Sequence, residues 1–66
     1  MVSTKFVNTD GDKVEVIYNP ISRMWHGYNE DRPFCVTQSF HNLSDAMAAA
    51  QRGDWLSLQQ LGEAVR

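Results

Sequence analysis

The sequence has little cysteine, proline or basic charge, with one Cys, two Pro and six Lys or Arg among its 66 residues. Each shortage excludes something. A single thiol, Cys35, rules out an internal disulfide and fits a reducing compartment. No apolar run approaches the roughly 20 residues that a membrane-crossing helix needs, and the N-terminus lacks a basic-then-apolar leader pattern. The expectation is therefore a cytoplasmic protein with no membrane partner. Eight acidic residues against six basic give a formal net charge of −2, so there is no basic stripe of the kind that neutralises a phosphate backbone. Nucleic acid ranks below protein as a partner on that ground. The hydrophobic share of 42% is ordinary for a globular chain and argues against global disorder. A chain this short buries only about 60% of the surface it exposes when unfolded. Residues 1–66 are thus read as one small domain of modest stability. Pairing with a second copy is one way for such a domain to hide sheet edges and add core.

What the chain does have is concentrated in residues 13–28, where two β-favouring runs flank Asn19-Pro20. Val14, Val16 and Tyr18 alternate with Glu15 and Ile17, and a period of two puts the first three on one sheet face. Asn19 and Pro20 suit the first two positions of a type I turn. On the return run Trp25 and Gly27 share a face opposite Met24, His26 and Tyr28. Trp25 is placed inward, because it offers about 150–250 Å² of burial to a small core. Gly27 beside it lets another element come close. Residues 4–8 make a first strand, joined through Asp10-Gly11, a strong hairpin signal. Residues 29–33 read as a loop, and residues 34–37 as a fourth strand or extended tail with an edge position marked by Pro33.

Two helices are expected after the sheet. Asn42 is placed as the cap of the first, and Leu43, Ala46, Met47 and Ala50 recur at helical spacing up to about Arg52, with Gly53 as its stop. Asp54 is placed as the cap of a second, with Trp55, Leu58, Leu61 and Val65 near one face. The fold class is α+β: a three- to four-stranded antiparallel meander, then two short C-terminal helices packed on one sheet face.

The run Trp25-His26-Gly27-Tyr28, followed by Phe40-His41-Asn42-Leu43-Ser44-Asp45-Ala46, resembles the sheet-plus-helix modules typified by AP2-like and phage-integrase arm-binding domains. The resemblance spans residues 13–51 and concerns the fold. It implies DNA reading by basic and aromatic residues on the outer sheet face. Here that face carries Glu15, Ile17, Met24, His26 and Tyr28, with Lys13 and Arg23 near its ends.

Cys35, His26 and His41 match no zinc spacing, and Asp10-Gly11-Asp12 lacks the remaining ligands of a calcium loop, so no metal or cofactor is expected. A Cys and His nucleophile pair needs a pocket and an orienting third group, which a single thin core does not supply; no catalytic residue is assigned. Small residues in the first helix most simply let it sit close to its own sheet. The informative set is Ile17, Met24, His26 and Tyr28, projecting from the face away from the helices, where Met and aromatic side chains match the composition of interfaces. The expected function is a non-enzymatic interaction module, binding a protein partner or a second copy of itself through that face. In size and charge it resembles phage or prophage accessory proteins, including inhibitors of host defence. The alternative is a nucleic-acid module using Lys13, Arg23 and Arg32 for phosphates and Tyr28 or Trp25 for stacking, which salt would weaken steeply. Topology further predicts an acidic end, where Asp10, Asp12, Glu30, Asp31 and Asp54 gather and steer a basic partner.

Overall fold

The computed structural model describes residues 2–57. Three strands, β1 (Ser3–Val7), β2 (Lys13–Asn19) and β3 (Met24–Asn29), precede one helix, α1 (Leu43–Arg52). They form an antiparallel sheet in the order β1-β2-β3. β1 lies one residue earlier than its hydrophobic alternation suggests, because Asn8 closes the following loop with its side chain. Asn8 Oδ1 accepts the N–H groups of Asp10 and Asp12 at 3.0 and 2.9 Å. Gly11 sits at φ 82, in the left-handed region that favours glycine, near the end of the loop formed by residues 8–12.

The second hairpin turns where Asn19-Pro20 indicates, although the turn is longer than a simple type I. Asn19 Oδ1 accepts the Ile21 N–H at 2.9 Å, and the Asn19 carbonyl accepts the Arg23 N–H at 2.7 Å. Arg23 takes φ 59 to re-enter β3. Val16 pairs with Gly27 and Tyr18 with Trp25, so the inward face carries Val14, Val16, Tyr18, Trp25 and Gly27. Val14 and Val16 are fully buried.

α1 packs on this face, against β3 and β2. It presents Ala46, Ala49 and Ala50, all fully buried, with Leu43 and Met47 partly buried beside them. Small side chains on one element meet a glycine on the other: a Cβ built on Gly27 would lie 3.0 Å from the Ala50 Cβ. Asn42 holds the extended backbone of a cap position, but its side chain donates to the Asp45 carboxylate at 3.3 Å instead of capping an N–H. Gly53, at φ 72, stops the helix in the left-handed conformation, with the Asp54 N–H bonded to the Ala49 carbonyl at 2.9 Å.

Two expectations need correction. Of the two readings of 34–37, the extended tail holds and the fourth strand does not: Val36 makes a single bridge with Tyr28, and Phe40, further on, makes another with Trp25, along the β3 edge. The stretch begins with Phe34 at φ 66, a conformation that costs a non-glycine residue about 1–2 kcal/mol. The second helix does not start at Asp54. Residues 54–57 are not helical, and the Leu56 N–H bonds the Val36 carbonyl at 2.7 Å. Trp55 packs on the core without a helix to carry it. The remainder of that expected helix, including Leu58, Leu61 and Val65, lies outside the described residues. No described helix is long and apolar enough to cross a membrane.

Candidate functional site: the outer sheet face

Strand alternation sends Lys5, Glu15, Ile17, Met24, His26 and Tyr28 to the face opposite α1. Pairing orders them in rows. Lys5, Glu15 and Tyr28 lie across one row; Ser3, Ile17 and His26 across the next; Asn19 and Met24 close the far end.

The first row is a polar network. Tyr28 Oη donates to Glu15 Oε1, which holds the Glu15 carboxyl below its ordinary range and raises the Tyr28 phenol to about 12. Lys5 Nζ lies 3.2 Å from Glu30 Oε1, and that hydrogen bond raises the Lys5 ammonium. Tyr28 was expected as part of an exposed apolar set; it is half-buried and tied into this network. The bond gives a pH test with two edges. A phenol whose pKa is raised in the fold contributes stability fully below its unfolded value, and loses it as pH climbs through the folded one. Glu15 shifts the other way, contributing above its unfolded value and losing it as pH falls through the folded one. In a Tyr18→Phe background, ultraviolet titration should place Tyr28 near 12, and Glu15→Gln should bring it back towards the ordinary 10. A midpoint unmoved by Glu15→Gln would show that the bond is absent in solution.

The remainder of this face is less exposed than expected. Ile17, Met24 and His26 are half-buried. His26 and Asn19 line an open groove of about 480 Å³ together with residues 36–39 and Leu56. The most exposed apolar side chains lie elsewhere: Ile21 at 92%, Phe34 at 76%, Val2 at 62% and Val7 at 59%. Reading Phe34 as part of a strand hid it, although a Pro just before an aromatic in a polar loop was the available signal.

The other candidates separate. Of the three phosphate-contact residues, Lys13 starts β2, Arg23 sits in the turn at the opposite end, and Arg32 is bound to Asp12 at 3.0 Å. Lys13 and Arg32 share one end of the sheet, and Arg23 stands apart from them. The acidic residues do share an end, where the helix terminus is latched to the first loop. Thr9 N and Oγ1 both donate to the Gln51 carbonyl, at 3.2 and 2.8 Å, and Gly53 lies against Asp10. Asn29, 95% buried, locks the same end: its Oδ1 accepts the N–H groups of Asp31 and Arg32, and its Nδ2 donates to Asp12. Yet Glu30 is paired with Lys5, Asp12 with Arg32, and Asp54 with Arg52, so much of the negative charge there is met locally. Cys35 is half-buried, and among the described residues no group of three His, Cys, Asp or Glu is placed to hold a metal ion.

Comparisons with protein-family models, with curated proteins and with solved structures find no match to this chain.

Proposed function

We propose that this chain is a non-enzymatic interaction module that binds a protein partner through the outer sheet face around Ile17, Met24 and His26. The observation that carries this reading is that Ile17 and Met24, in adjoining rows, neighbour His26, which also lines the open groove with Val36 and Leu56. α1 lies on the other side of the sheet, so among the described residues no helix covers this face. An apolar centre bordered by a satisfied polar network is the anatomy of a protein interface. In the groove, Thr37 Oγ1 donates to the Gln38 carbonyl at 2.8 Å and accepts the Gly27 N–H at 2.9 Å.

The test uses a photo-crosslinking phenylalanine at Met24, with Ser44 on the helix as control site. A protein captured only from position 24 is purified and titrated against wild type and the Ile17→Lys, Met24→Lys double variant. The double variant should keep its heteronuclear NMR fingerprint and lose affinity by about a hundredfold or more, as removal of interface anchors does. Equal affinity of both proteins would sink the assignment of this face.

A further inference from the structure

The end of the sheet away from Met24 carries a second, self-complementary surface. We infer that two copies of this chain pair there, each inserting Phe34 into a hollow of the other lined by Lys5, Phe6, Val7, Lys13, Val14 and Glu30. The hollow measures about 180 Å³, and a cavity of roughly 150 Å³ holds a benzene molecule, so a phenyl ring fits it. Phe34 is 76% exposed and held at φ 66. Its loop is fixed in that presentation by Asn29, whose Oδ1 accepts the Asp31 and Arg32 N–H groups at 2.8 and 3.0 Å, and by the Asn29 N–H bond to the Cys35 carbonyl at 2.9 Å. A rigid aromatic presented in advance loses little freedom on docking.

Charge and position select a second copy as the occupant. Lys13, at the rim of the hollow, and Asp31, in the Phe34 loop, have no ion-pair partner among the described residues, whereas Glu30, Arg32, Asp12 and Lys5 are paired. Asp31 Oδ2 accepts the Lys13 backbone N–H at 2.8 Å, and Glu30 both lines the hollow and opens the loop. Ring donor and ring acceptor therefore adjoin on one molecule. A two-fold axis beside this contact makes both insertions at once and brings each Lys13 ammonium towards the other copy's Asp31, a closed isologous arrangement. Val7, 59% exposed on the wall of the hollow, is covered by the same step. This surface excludes Ile17, Met24 and His26, so it stands or falls separately from the partner face.

Sedimentation equilibrium of the full chain across micromolar to millimolar concentration tests it. Wild type should pass from monomer to dimer. Phe34→Gly, which suits the left-handed backbone and keeps the fold, should raise the dissociation constant about a hundredfold, and Lys13→Glu should raise it as well. In a mixed-label sample, isotope-filtered NOEs should connect Phe34 ring protons to the Val7 methyls of the other copy. A wild type that stays monomeric at millimolar concentration, or a dimer that Phe34→Gly leaves intact, overturns the inference.

Discussion

Trp25→Ala should lower the unfolding free energy by about 3 kcal/mol, the lower end of the range for truncating a large aromatic in a core. The lower end applies because the indole is half-buried, not fully enclosed. It packs against the cluster of Val14, Val16, Ala46 and Ala50, and its ring centroid lies 5.0 Å from that of Tyr18 at 57°. A tilted pair of this kind adds about 0.5–1.5 kcal/mol beyond area burial. The backbone bonds between Trp25 and Phe40, 2.7 Å in both directions, survive the change, so the loss isolates the side chain. At about 0.05–0.15 kcal/mol per residue, a chain of this length has some 3–10 kcal/mol in all. Urea titration should therefore show a large fall in midpoint, with part of the population unfolded in water at the low end of that range. A midpoint near that of wild type would mean the indole does not support the core.

The same residue shows how far the sequence could be read. The alternation of Val14, Val16 and Tyr18, the Asn-Pro reversal and the need of so small a core for one large ring were enough to orient the central hairpin. The α1 face was equally legible, since Leu43, Ala46, Met47 and Ala50 repeat at helical spacing and Gly53 supplies the left-handed stop. Where the reading failed, a contact distant in sequence displaced a local preference. Asp54 and Trp55 have a helix-start pattern, but the Leu56 N–H is taken by the Val36 carbonyl, and residues 54–57 lie beside the edge segment instead. Asn42 has the residue type and backbone of a cap, yet Asp45 takes its amide. Tyr28 looked like interface surface because nothing in a one-dimensional pattern says that β2 brings Glu15 directly opposite it. Asn29, read as the start of a loop, is the polar hub of its end of the molecule; its resemblance to the Asn19 turn was the available clue. The candidate site was legible as a face and not as a set of exposed residues, since alternation reports direction and says little about how deeply a row sinks between its neighbours.

Gly27→Val should lower the unfolding free energy by about 3 kcal/mol, and Gly27→Ala by about 1–2 kcal/mol, the cost of forcing extra atoms into a packed interior. Local preference predicts the reverse sign. Glycine is a poor strand residue and a β-branched side chain a good one, and replacing Gly also reduces the freedom of the unfolded chain. Gly27 has no positive φ to protect, so backbone strain does not oppose the change. What opposes it is the helix. A Cβ at position 27 would lie 3.0 Å from the Ala50 Cβ, 3.4 Å from Val16 Cγ2 and 3.5 Å from Thr37 Cγ2. The Ala50 Cβ is attached directly to backbone and cannot rotate away, so α1 must move off the sheet, and Val adds two methyls where one carbon is already too close. Moving α1 also loosens Ala46, which is fully buried, and strains the latch between Asn8 and the Ala50 carbonyl at 3.4 Å. A double-mutant cycle separates this steric cause from a general intolerance of the strand. Ala50→Gly alone should cost about 1 kcal/mol in helix propensity, but it should shrink the Gly27→Ala penalty by about 1 kcal/mol, a coupling typical of residues in contact. Thermal and urea denaturation of the four proteins measure it, and a Gly27→Ala protein as stable as wild type, or a cycle with no coupling, would show that α1 does not rest on Gly27 as closely as described.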